Sequence, residues 1–187
     1  ALAPDAALIV GHLGTFGAPV ASLLDRVVPE LLHRSDAVRV VLMGAGADRF
    51  RASFATRYPA WTDRVIATGA LDDASLAAHV AACDVLMQPY PDGISSRRTT
   101  AMAGLRLGVP VVTTCGYVTE PFWQHSRAVR LVPVERAIEI VTHVLELLAD
   151  PEDRALLGQR GCELYDRTFE LGRTVAAITD STRGRAA

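Results

Sequence analysis

Short apolar runs alternate with helical patterns along most of the chain. Ala7–Leu13, Val38–Met43, Arg64–Thr68, Asp84–Gln88, Pro110–Thr114 and Val129–Val132 are each rich in Val, Ile, Leu or Met. Their apolar residues run together instead of alternating with polar ones, which predicts strands covered on both faces, as in a parallel sheet. Between them lie segments with helical periodicity. Pro19–Arg34 places Leu23, Leu24, Val27, Val28, Leu31 and Leu32 on one side. A helix from about Asp48 to Tyr58 is stopped by Pro59, and Asp72–Ala82 carries acids in its first turn, where they complement the dipole. Further helices are predicted from about Arg97 to Leu107, over Glu135–Leu148, and from Asp150-Pro151 to about Phe169.

Strand and helix alternation with short links implies right-handed crossovers and a doubly wound α/β sheet of the Rossmann-like kind, with C-terminal helices. Residues 1–169 read as one domain and residues 170–187 as a short helix and tail. In such sheets ligands sit beyond the carboxyl ends of the strands, so the loops after the strands are where chemistry is expected.

Composition narrows the class. The chain has 187 residues, half of them apolar and 21% charged, enough for a sizeable core and unlike a disordered segment. A net charge of −2 gives no basic footprint, so no nucleic-acid partner is expected. No apolar run reaches the roughly 20 residues that span a bilayer. The start, Ala-Leu-Ala-Pro-Asp, lacks both a cationic leader region and an initiator Met. The expectation is a piece of a longer cytoplasmic protein. Cys83, Cys115 and Cys162 are scattered and odd in number, suggesting neither a disulfide framework nor a zinc site. All 19 basic residues are Arg. A high-GC, bacterial genome accounts for the bias, but it also excludes a lysine-based Schiff base or P-loop and leaves any phosphate clamp to Arg, His, hydroxyls or backbone amides.

Three loops hold unusual residues. After the first strand comes Gly11-His12-Leu13-Gly14-Thr15-Phe16-Gly17. Its glycines let backbone approach a phosphate closely, or simply make a tight turn. The spacing is not the dinucleotide GxGxxG, and the second strand ends in Met43-Gly44 with no acid, which disfavours a nicotinamide enzyme. After the fourth strand, Pro91-Asp92-Gly93-Ile94-Ser95-Ser96-Arg97-Arg98-Thr99-Thr100 precedes a helix. Ser95 or Ser96 is a candidate cap, and two arginines in a first turn oppose the dipole, so they call for an anion such as a diphosphate or for an acid, Asp92 or Asp84. After the fifth strand, Glu120 either accepts hydrogen bonds from sugar hydroxyls or begins a helix. His33, His79 and His143 read as structural or exposed helix residues, and Trp61 and Trp123, placed in loops, as cover for a core edge. No metal-ligand spacing and no GxSxG elbow is present.

The order of motifs resembles the C-terminal, donor-binding domain of retaining GT-B glycosyltransferases, family 4 in particular, over residues 7 to 169. The resemblance rests on the first Gly-rich loop, Met43-Gly44-Ala45-Gly46, Val65-Ile66-Ala67-Thr68-Gly69-Ala70-Leu71, and Ala81-Ala82-Cys83-Asp84-Val85-Leu86-Met87-Gln88-Pro89. Ala101-Met102-Ala103, Gly108-Val109-Pro110-Val111-Val112 and Gly116 with Glu120 complete it. It implies that Gly69 to Leu71 meet the nucleobase, while Gly14 and Thr15 face the diphosphate or sugar. The family's two glutamates, with seven residues between them, fall on Asp92-Gly93 and on Thr100. His12 stands at an Arg-like position, and Arg97 and Arg98 are available to replace the family's cations.

The implied activity is metal-independent glycosyl transfer from a nucleoside-diphosphate sugar, with Asp92 and Glu120 as candidate catalytic acids and no further cofactor. The acceptor would bind mainly to an N-terminal domain outside this chain, which could also bring peripheral membrane association; the piece alone should turn over little. A nucleotide-sugar epimerase and a non-catalytic binding or partner subunit are the alternatives.

Overall fold

The computed structural model describes residues 7–170 and residue 172. The helix and tail expected over residues 170–187 therefore lie almost wholly outside the described residues.

Six strands form one parallel sheet: β1 (Leu8–Leu13), β2 (Val38–Met43), β3 (Val65–Gly69), β4 (Val85–Gln88), β5 (Val111–Cys115) and β6 (Arg130–Pro133). Their order across the sheet is β3-β2-β1-β4-β5-β6. The chain winds outward from β1 in one direction, then returns to its other side at β4. That leaves a crevice between the carboxyl ends of β1 and β4, the switch point at which doubly wound sheets bind ligands.

The helices are α1 (Ala18–Arg34), α2 (Ala47–Arg57), α3 (Asp73–Ala81), α4 (Thr99–Arg106), α5 (Phe122–Ser126), α6 (Ile140–Ala149) and α7 (Pro151–Thr168). Because side chains alternate across a strand, each run of apolar residues feeds two cores. Val40 and Leu42 pack with Leu24, Val28, Phe54 and Val144 of α1, α2 and α6. Val41 and Met43 pack on the other face with Val80, Leu105, Trp123 and Leu164 of α3, α4, α5 and α7. Continuous hydrophobicity in the sequence and burial on both faces are thus one fact.

Helix ends follow local chemistry. Asp72 caps α3 by accepting from the Ser75 amide at 2.9 Å, and Asp150 caps α7 by accepting from the amides of Glu152 and Asp153. Three expectations need correction. The helix over Glu135–Leu148 is broken: Val134–Glu139 is a 3₁₀ turn, with Arg136 outside helical geometry at φ −114°. The apolar stripe Ile140, Val141, Val144, Leu147 and Leu148 belongs to α6 alone, while Ile138 turns outward. Trp61 and Trp123 lie in short helical turns, Pro59–Arg64 and α5, not in loops. Finally, α4 begins at Thr99 with Arg98 at its cap position, so neither Ser95 nor Ser96 caps it and the arginines precede its first turn. The loop before it spends its polar groups on other loops, as described next.

Candidate functional site

The loops after β1, β2 and β3 are stitched together at the crevice. The Gly14 amide donates to Met43 O at 3.0 Å, that of Phe16 to Ala45 O at 3.4 Å, and that of Gly44 to Gly69 O at 2.9 Å. Gly44 has φ +116°, and a side chain there would run into Gly14 O. Only glycine lets the first two loops touch. Gly69 supports this floor through its carbonyl, and neither Gly69 nor Leu71 lines the main cavity.

The opposite wall is the loop from β4 to α4. The Ile94 amide donates to Thr114 O at 2.8 Å, and the Tyr90 amide to Thr114 Oγ1 at 2.8 Å. Tyr90 is nearly fully buried, its hydroxyl lies 2.8 Å from Thr100 Oγ1, and burial pushes its pKa up to about 12. It stays a phenol at neutral pH. Arg98 stacks on that ring, its guanidinium carbon 4.7 Å from the centroid, and pairs with Asp92. Gly93, at φ +97°, is pressed against the Gly116 amide and Thr119 of the next loop. Arg98 is therefore held by the protein, whereas the neighbouring Arg97 is exposed and its guanidinium makes no hydrogen bond or ion pair among the described residues.

Glu120 precedes α5 and does not begin it, and its carboxylate is engaged by the protein. Its carboxylate accepts from the Ser96 amide at 3.1 Å, the Ser96 hydroxyl at 2.7 Å and Trp123 Nε1 at 3.0 Å. Burial acts to raise its pKa, but these bonds together outweigh burial and hold it below the usual carboxylate range. It clips two loops together.

Between the two walls lies a cavity of about 420 Å³ lined by His12, Gly14, Thr15, Gly44, Ala45, Tyr90, Arg97, Arg98, Thr99 and Thr100, together with Leu13 and Val20. Of the residues singled out from sequence, Gly14, Thr15, Arg97, Arg98 and Thr100 meet here. Asp92 borders a smaller hollow of about 230 Å³ on the far side of Arg97 and Arg98. Gly93 is buried beneath the wall, and Glu120 is a strut behind it. Sequence reasoning missed Tyr90, Gly44 and Ala45 as lining, although Gly44-Ala45-Gly46 already marked a loop on this edge.

His12, at the Arg-like position, does not act as a cation. The ring is 1% exposed, and burial lowers its pKa to about 4 against a weaker opposing effect from its bond to Met87. Among the described residues no group of three or more His, Cys, Asp or Glu converges on a metal position, and no helix is long and apolar enough to cross a membrane.

A parallel sheet in this order, with a loop-lined cavity at its switch point, defines the Rossmann-like half of a GT-B architecture. The chain belongs to the group 1 glycosyl transferases, whose family model matches residues 6–150. No curated protein sequence matches it. Solved structures with the same fold include HepE from Anabaena in complex with UDP, with TM-score 0.78 and 16% identity over 96% of this chain and 49% of that one. Sucrose-phosphate synthase from Thermosynechococcus elongatus gives TM-score 0.78 and 21% identity over 97% of this chain and 46% of that one. The chain spans about half the length of these two proteins. The C-terminal domain of LpcC, a group 1 glycosyl transferase from Francisella tularensis, is matched over 88% of this chain and 87% of that one, with TM-score 0.72 and 15% identity.

Proposed function

We propose that this chain is the donor-binding half of a glycosyltransferase, and that its cavity receives the diphosphate and sugar of a nucleoside-diphosphate sugar. The observation that carries the reading is the placement of Arg97. An arginine without a partner among the described residues lies across a switch-point cavity from a Gly-rich loop, just before the N-terminus of α4. A guanidinium beside the positive end of a helix dipole is complementary to a diphosphate. HepE, a protein of the same fold, was solved with UDP and with UDP-glucose.

In the reaction, the bond between the sugar's anomeric carbon and the diphosphate oxygen breaks, and the diphosphate leaves with the electron pair. An acceptor hydroxyl bonds to that carbon, and its proton passes to the departing diphosphate. Arg97 and the helix N-terminus stabilise the charge growing on the leaving group. Retention at the anomeric carbon rests on the likeness to family 4. The acceptor is assigned to a preceding domain, which makes this half alone a binder with little turnover.

A second reading is a binding or partner subunit without catalysis. Two observations favour it: Asp92 is engaged by Arg98, and Thr100, at the second glutamate position, is hydrogen-bonded to Tyr90. Isothermal titration of the chain with UDP, GDP, ADP and TDP, with NAD as control, tests the donor reading. Binding of one diphosphate without a response to NAD supports it; silence towards all four refutes it. Transfer activity of the full-length protein separates the enzyme from the partner subunit.

A further inference from the structure

His12 carries a hydrogen-bonding vacancy of defined polarity. It pairs with Leu42 of β2, one residue before the end of β1, and its Nδ1 lies 3.0 Å from Met87 O on β4. A carbonyl only accepts, so Nδ1 must carry the proton. The buried ring is neutral and has one proton to place, which leaves Nε2 as a bare lone pair. Phe16 stands edge-on to the ring at 5.3 Å between centroids and 78° between planes, fixing its orientation. Nε2 itself is buried without a partner among the described residues, and His12 forms part of the cavity wall. An acceptor left unsatisfied in such a place is costly, and a structure that keeps one has a use for it. The atom's cover is Gly14: a β-carbon added there would lie 3.5 Å from Nε2 with no contact other than the His12 ring.

The polarity decides what can fill the vacancy. A diphosphate at neutral pH presents oxygens that accept, and these repel a lone pair. A carbohydrate hydroxyl presents a proton. We infer that His12 Nε2 accepts a hydrogen bond from a hydroxyl of the sugar nucleotide, making His12 a specificity-determining residue that reads carbohydrate beside the Arg97 phosphate position. The inference rests on the donor-site reading above. The hydroxyl belongs either to the ribose or to the transferred sugar.

Two variants and one direct observation test it. His12→Asn keeps an N–H within reach of Met87 O but has no atom at the Nε2 position; His12→Gln returns an acceptor near that position. Each is titrated with inorganic pyrophosphate, with the nucleoside diphosphate that binds the wild type, and with its glucose conjugate. The Asn variant should weaken binding of the conjugate roughly 2- to 12-fold, the range of a neutral hydrogen bond, leave pyrophosphate unchanged, and be partly rescued by Gln. A loss confined to the conjugate assigns the transferred sugar; an equal loss for the free nucleoside diphosphate assigns the ribose. In the wild-type protein, the ¹⁵N resonance of Nε2 should move on saturation with the conjugate and hold still with pyrophosphate, a readout that does not depend on a variant folding. Unchanged binding in a folded Asn variant, an equal loss for pyrophosphate, or a still Nε2 resonance at saturation overturns the inference. Failure of every diphosphate to bind is a different result, and refutes the donor site itself.

Discussion

Acidification should destabilise this domain in a window set by His12. In the folded chain the ring takes up a proton only at about 4, against an ordinary value of 6.5. Between those values the unfolded chain binds more protons than the native one, so stability rises with pH there. The contribution is complete above pH 6.5 and is lost as pH falls towards 4. At about 1.36 kcal/mol per pH unit, the gap between 6.5 and about 4 amounts to about 3 kcal/mol, a large part of the ~5–15 kcal/mol by which domains are stable. Carboxylates that are hydrogen-bonded in the fold, such as Glu120 and Asp72, also lose stabilisation when protonated, so the total acid response mixes several groups. The His12→Asn variant separates them, since all other groups titrate alike in both proteins. Urea unfolding of wild type and variant at half-unit steps from pH 7.5 to 4 gives two stability curves. Their difference should be flat above pH 7 and change by about 2–3 kcal/mol, against the wild type, by pH 4.5. Parallel curves would mean that His12 protonates freely in the fold, and the buried neutral acceptor would be refuted.

The two arginines should part company under mutation. Arg97→Ala should weaken nucleoside-diphosphate binding by roughly 10- to 150-fold, the loss of one charged hydrogen bond, with the nucleoside and the thermal midpoint unaffected. Arg98→Ala, which strips the partner from Asp92 and the stack from Tyr90, should lower the midpoint and weaken nucleoside and diphosphate together; identical behaviour of the two variants in calorimetry would contradict the assignment. Gly14→Val should fold normally, because a β-carbon there meets only the His12 ring at 3.5 Å, yet abolish diphosphate binding by filling the cavity. A folded variant with native affinity would show that the ligand avoids this loop.

The sheet was legible in the sequence because burial on both faces leaves no polar alternation, and six apolar runs sufficed to place six strands. The cavity was half legible. Gly14, Thr15, Arg97 and Arg98 stood out as residue types that cost something unless used. Their division of labour did not: adjacent arginines look alike until Tyr90 and Asp92, brought in by the fold, claim one of them. Glu120 was ambiguous for the same reason, since its partners Ser96 and Trp123 come from both sides of the crevice wall. The short α5 and the 3₁₀ turns gave no periodic signal, being too brief to show one. The protonation of His12 was not legible from its position in a motif, because the carbonyl that fixes its proton lies on a strand 75 residues away in the chain.

The Glu120 clip has a consequence for how the cavity meets its occupant. One carboxylate holds the backbone and hydroxyl of Ser96 and the indole of Trp123, whose ring is wholly buried. The loop bearing Arg97 is thereby anchored to the core through a neighbouring loop and is already shaped before anything arrives. Its conformational entropy is surrendered during folding and not again on association. An incoming molecule meets a rigid wall from which one flexible guanidinium projects. Selectivity at such a wall comes from rejection as much as from attraction, because a poorly matched shape finds nothing that yields to it.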